Sequence, residues 1–161
     1  MTYIIQKIKE ILEAGLDKKD VGYFYTGKPY SLPKAVLDRG AIYINGVSQD
    51  IESITTGIGD RTTNIVQITL CKSMQNDNYK NAQKETGNAY LTRVMDGRGE
   101  SGDVLTNTIR YIIRTNMRNL GITQSAVSIE YGESNDIDSS EATVFATMTV
   151  SQEDHQKYIL T

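Results

Sequence analysis

Tryptophan is missing from this chain of 161 residues, and cysteine and histidine occur once each, proline and phenylalanine twice. Each shortage closes a route. A lone cysteine, Cys71, excludes an intrachain disulfide, and no His/Cys set has zinc-ligand spacing. Cys71 lies in an apolar, strand-like run and reads as a small core or half-buried residue in a reducing compartment. No apolar stretch approaches the ~20 residues of a membrane span. The segment Met1 to Lys7 lacks a charged start followed by an apolar core and a cleavage site, so no signal peptide is expected and the chain is expected in the cytosol where it is made. Net charge is −3, from 17 basic and 20 acidic residues. The longest basic run is Lys18-Lys19, and a dedicated DNA binder is not expected without a basic face.

Tyrosine, by contrast, is plentiful: ten against two phenylalanines. Its apolar body and polar tip suit surfaces that are wet in one state and covered in another, or the rim of a core. The length fits one domain on the usual scale of ~100–200 residues. A domain of that size buries roughly two-thirds of its unfolded surface and needs no covalent staple.

Hydrophobic spacing divides the chain into elements. Ile4, Ile5, Ile8, Ile11 and Leu12 recur at helical intervals, predicting an amphipathic helix over 3–16 that stops at Gly15. Residues 17–40 break any period at Gly22, Gly27, Pro29, Pro33 and Gly40, with Tyr23, Phe24, Tyr25 and Tyr30 between them. They read as an extended arm, with a short strand at Val21–Thr26, that either reaches a neighbour or lies on its own domain. Ile42-Tyr43-Ile44 followed by Asn45-Gly46 predicts a strand and a hairpin turn, and Ile51–Thr56 a further strand. Thr62–Lys72 alternates clearly, with Val66, Ile68 and Leu70 on one face. A helix is expected over about 82–95, weakened by Gly87, and a better one over about 103–120, capped by Gly121. Ala126–Tyr131 and Ala142–Ser151 alternate as strands, the second directing Ala142, Val144, Ala146, Met148 and Val150 inward. An acidic loop, Gly132–Glu141, joins them, and 153–161 is expected as a C-terminal tail. The fold class is α+β: a mixed, largely antiparallel sheet with about three helices packed on it, in a single domain over 1–161.

Motifs for chemistry fail on context. His155, beside Glu153 and Asp154, is assigned to the tail, whereas a general base needs a rigid mount. Gly97-Arg98-Gly99-Glu100-Ser101-Gly102 has the letters of a dinucleotide fingerprint, but that motif must leave a strand and open a helix. Here a helix precedes it. Asp136-Ile137-Asp138-Ser139-Ser140-Glu141 lacks the fifth-position Asp or Asn and the sixth-position glycine of a calcium loop. No catalytic, cofactor or metal residue is assigned, and a small cytosolic enzyme is the most distant of the readings.

The order helix, arm, β-meander, two helices, two strands and tail, with Ala41-Ile42-Tyr43-Ile44-Asn45-Gly46, the long Thr62–Lys72 strand and the 103–120 helix within it, resembles the tail terminator proteins of long-flexible-tailed bacteriophages over essentially the whole chain. The resemblance rests on size, element order and local phrasing. It implies a hexameric ring on the head-proximal end of the tail tube, which ends tube polymerisation and offers its other face to head-completion proteins. Partners would be further copies of the chain, the tube protein and a connector, with DNA only passing through the bore and no membrane. A tube subunit or head–tail connector of the same fold group is the nearest alternative.

A closed ring joins two unlike patches of each subunit. The basic, Tyr-bearing arm (Lys18, Lys19, Tyr23, Tyr25, Lys28, Tyr30, Lys34, Arg39) and the acidic loop (Glu133, Asp136, Asp138, Glu141) are the candidate pair. Screened charges would set register there, and the tyrosines would carry more of the contact energy.

Overall fold

A computed structural model describes residues 1–54, 59–73, 85–133 and 143–157, with the side chains of 124–128, 133, 156 and 157 excepted. The chain opens with α1 (Thr2–Gly15), whose Ile4, Ile8 and Leu12 are buried at successive turns. β1 (Tyr23–Thr26), α2 (Lys34–Arg39), β2 (Ala41–Ser53) and β3 (Gly59–Ser73) follow. Then come α3 (Gly87–Asp96), α4 (Ile109–Leu120), β4 (Ile122–Glu133) and β5 (Thr143–Lys157). Among the described residues the strands form one sheet in the order β1-β2-β3-β5-β4. β1 runs parallel to β2, and the other neighbours are antiparallel. The fold is therefore α+β with a mixed, largely antiparallel sheet.

The alternation in β3 and β5 sets the layers. Val66, Ile68 and Leu70 lie beside Val150, Met148 and Ala146, and all six are fully buried under α1, α3 and α4 in the larger core. The opposite face carries a smaller core, in which Leu32, Val36 and Leu37 from the α2 region cover Ala41, Tyr43 and Cys71. A parallel pair cannot be joined by a tight turn, and the link from β1 to β2 carries that covering helix.

Several expectations are corrected. The 17–40 segment is not extended throughout: 34–39 is helical, and the buried Leu32, Val36 and Leu37 fasten the segment to its own sheet. Asn45-Gly46 is not a hairpin turn. β2 continues through it, with a bulge that leaves Val47 outside the ladder between the pairs Gly46↔Val66 and Ser48↔Ile65. A Cβ on Gly46 would sit 2.8 Å from the Met1 Cγ, a contact that the flexible Met1 side chain can relieve by moving. The helix expected from 103 begins at Ile109. Val104 is held by a bridge to Arg98, the Leu105 N–H donates to the Gly97 carbonyl at 2.8 Å, and the Thr108 hydroxyl caps α4 by accepting from the Tyr111 N–H at 3.2 Å. Gly87 opens α3 instead of interrupting it, with Thr86 as its cap. Residues 153–157 are strand, not tail, because β3 extends to Gly59 and supplies partners out to Lys157. Ala82, the acidic loop 134–141, Ala142 and the apolar tip Tyr158–Leu160 lie outside the described residues.

Candidate interaction surface

The arm divides into an inward and an outward part. Tyr23 and Tyr25 are half-buried against the smaller core, and burial, helped by Tyr23, pushes the Tyr25 phenol above its ordinary pKa. The Arg39 guanidinium stands 5.5 Å from the Tyr23 ring centre, a cation–π contact on the protein's own surface. Lys34 is half-buried, whereas Lys18, Lys19, Lys28 and Arg39 are exposed. Tyr30 is 88% exposed. Of the aromatic candidates it alone presents nearly its whole ring outward. The Glu133 side chain and Asp136, Asp138 and Glu141 lie outside the described residues. The acidic half of the expected pair therefore lies outside the described residues.

Sequence reasoning missed a second exposed region. Past the bulge, β2, β3 and β5 run on together beyond the end of β1, since β1 pairs only with Ala41–Ile44 while the ladder continues to Ser53↔Asp60 and Gly59↔Lys157. Every residue from Gly46 to Ile54 on the outer strand is exposed, including Val47 at 53% and Ile51 at 63%. The sequence carried little signal of it, because only Val47 and Ile51 are apolar between Val47 and Ser53 and the Asn-Gly pair read as a turn. Inside this extension an amide ladder ties the strands. Gln49 Nε2 donates to Asn64 Oδ1 at 3.0 Å, Asn64 Nδ2 to Gln152 Oε1 at 2.7 Å, and Gln152 Nε2 to Asp154 Oδ1 at 2.6 Å. Three strands are held in register without an apolar centre, which keeps the extension stiff enough to present a surface.

The residues considered for chemistry fall in separate places. His155 stands opposite Arg61 on β3, its Nε2 3.1 Å from Glu153 Oε1. Arg61 bonds Glu52 across the ladder, and that bond, with the charge of Glu52, raises the Arg61 pKa. Cys71 is fully buried, and burial pushes its thiol up to about 12, the opposite of an activated nucleophile. In the 97–102 loop the Gly99 and Gly102 N–H groups are bonded internally, to the Asp103 and Gly99 carbonyls, so they do not form a phosphate cradle.

No protein-family model and no curated protein matches the chain.

A cleft of about 410 Å³ opens beside α4, lined by Val104, Arg110, Tyr111, Ile113, Arg114, Thr115 and Met148. Arg110 is engaged by Asp96 at 3.0 Å, and an Arg114 N–H rests on the Met117 sulfur at 3.1 Å. Its floor, Ile113 and Met148, belongs to the main core. Among the described residues no three His, Cys, Asp or Glu side chains converge to hold a metal, and no helix is long and apolar enough to cross a membrane.

Proposed function

We propose that this chain is a structural subunit of a long-flexible-tailed bacteriophage virion, closing into a ring at the head-proximal end of the tail tube. The ring ends tube growth and gives head-completion proteins a docking face. One observation carries the reading: three strands continue past the helix-covered body into an extension whose outer strand is exposed at every residue from Gly46 to Ile54. A strand edge of this kind is a liability for a solitary domain and a contact device for a subunit. The element order that carries the family resemblance adds the ring and the tube. Of the arm residues, Lys18, Lys19, Lys28, Tyr30 and Arg39 are exposed.

Electron microscopy and native mass spectrometry of the purified chain test this. The expected product is a closed ring of six copies, alone or on added tube protein, carrying about −18 of formal charge from the −3 of each copy. Open-ended polymers would instead indicate a tube subunit. Virions lacking the chain but retaining tails of normal length joined to capsids would overturn the whole reading. Reversing Lys28 and Arg39 to glutamate is expected to weaken ring formation, and rings that form undiminished would remove the arm from the interface.

A further inference from the structure

The outer edge of β2 is only partly used. β1 pairs with Ala41–Ile44, and its last contact is the Gly27 N–H on the Ile44 carbonyl at 2.7 Å. Gly27 then turns the chain away with a φ of 87°. From Gly46 to Ser53, β2 is paired with β3 on one side and with no described strand on the other. The Ile54 N–H bonds inward to the Gly59 carbonyl at 3.0 Å. Antiparallel residues alternate between inward and outward bonding, so Gln49, Ile51 and Ser53 direct their backbone N–H and C=O groups away from β3.

Side chains along this edge separate by face. Asp50 and Glu52 register with Thr63 and Arg61 on one face, and Ile51 with Thr62 on the other. A second copy laid antiparallel about Asp50 would set that carboxylate against its own image, an unfavourable cross-strand pair. The same acids favour a cation on the incoming strand. Glu52 already holds Arg61, which leaves Asp50 as the selecting group.

We propose that this edge takes up, as an added strand, an extended segment of another polypeptide that alternates basic and apolar residues. Main-chain bonds to Gln49, Ile51 and Ser53 supply the attachment, Asp50 selects the basic face, and Ile51 meets the apolar one. The proposal rests on the extension being a docking device; it does not require the ring, and the two tests fail separately.

Amide hydrogen exchange of the full chain, read by NMR, provides the test with blocked peptides alternating lysine with valine, glutamate with valine, or lysine with proline. At about nine-tenths occupancy the lysine–valine peptide is expected to slow the Gln49, Ile51 and Ser53 amides roughly tenfold, because only the free fraction exchanges. The lysine–proline peptide, whose prolines lack the N–H at the positions that share the face of Ile51 and would bond the edge in antiparallel register, leaves them unchanged. Asp50→Lys transfers the preference to the glutamate–valine peptide. Ile51→Pro removes an outward N–H that the fold itself does not use, so the amide spectrum of the body stays folded while binding is lost. Equal slowing by the lysine–proline peptide, indifference to Asp50→Lys, or slowing that grows with protein concentration in the absence of peptide would each overturn the proposal. The last of these would assign the edge to a second copy.

Discussion

Gly40 sits where the chain turns from α2 into β2 with a φ of 83°. A Cβ there would meet the Tyr90 hydroxyl at 2.1 Å and the Asp20 carbonyl at 2.9 Å. Tyr90 is held in that place because its hydroxyl donates to the same Asp20 carbonyl, while Lys72 lies 4.5 Å from its ring centre. Gly40→Ala is therefore expected to cost more than about 2 kcal/mol, from left-handed backbone strain added to an unrelieved clash, measured by urea denaturation. Cys71 gives a pH-dependent case. Its folded pKa, about 12, lies above the ordinary thiol value near ~8.5. Its contribution to stability is thus complete below the unfolded value and is lost as pH rises from there toward 12. Cys71→Ala should show a smaller fall in urea midpoint than the parent chain between pH 8 and about 10.5, within that thiol window. At pH 8 the folded parent should also resist thiol reagents until denaturant is added. Of these residues, the inert role of Cys71 was legible from its apolar strand context. The Gly40–Tyr90 contact was not, because it joins residues fifty apart through the fold.

Among the elements, the ones with a long regular period were readable. α1, β3 and α4 each repeat an apolar position often enough to set their own face. What failed was local chemistry overruled by pairing. Asn45-Gly46 has strong turn character, yet β3 offers partners on both sides of it and the turn yields to a bulge. The six-residue α2 is too short for periodicity to reveal, and only burial of Leu37 shows what it covers. Leu37→Ala should cost about 2–5 kcal/mol, the range for a fully buried leucine left as a cavity, in equilibrium unfolding. Thr108→Ala should cost about 1 kcal/mol through loss of the α4 cap, with a matching loss of helical circular dichroism on mild heating. The arm's tyrosines were legible as a group but not as two populations, since which ring turns inward depends on α2 lying over Tyr23 and Tyr25.

For the molecule as a whole, fold class followed from the succession of periods, whereas the exposed extension followed from how far β3 and β5 outrun β1. Strand lengths of this kind are set by long-range pairing and leave little trace in a local window. The middle of the sheet joins residues far apart in sequence: β3 pairs with β5 along its length, from Gly59↔Lys157 to Ser73↔Thr143. A chain ended at Gly132 loses the strand between β3 and β4, and it should show no cooperative thermal transition by circular dichroism.

That central pairing also orders events in time. A ribosome releases α1 through β4 before the strand that unites them has been made, so the apolar faces of β3 and α4 wait in the open until translation reaches the neighbourhood of Lys157. Contacts of such sequence separation are slow to close, and the waiting surface is open to aggregation. Newly made chain should therefore be shielded by holding chaperones until late in synthesis, and arrested nascent chains should become protease-resistant only after β5 has cleared the exit tunnel.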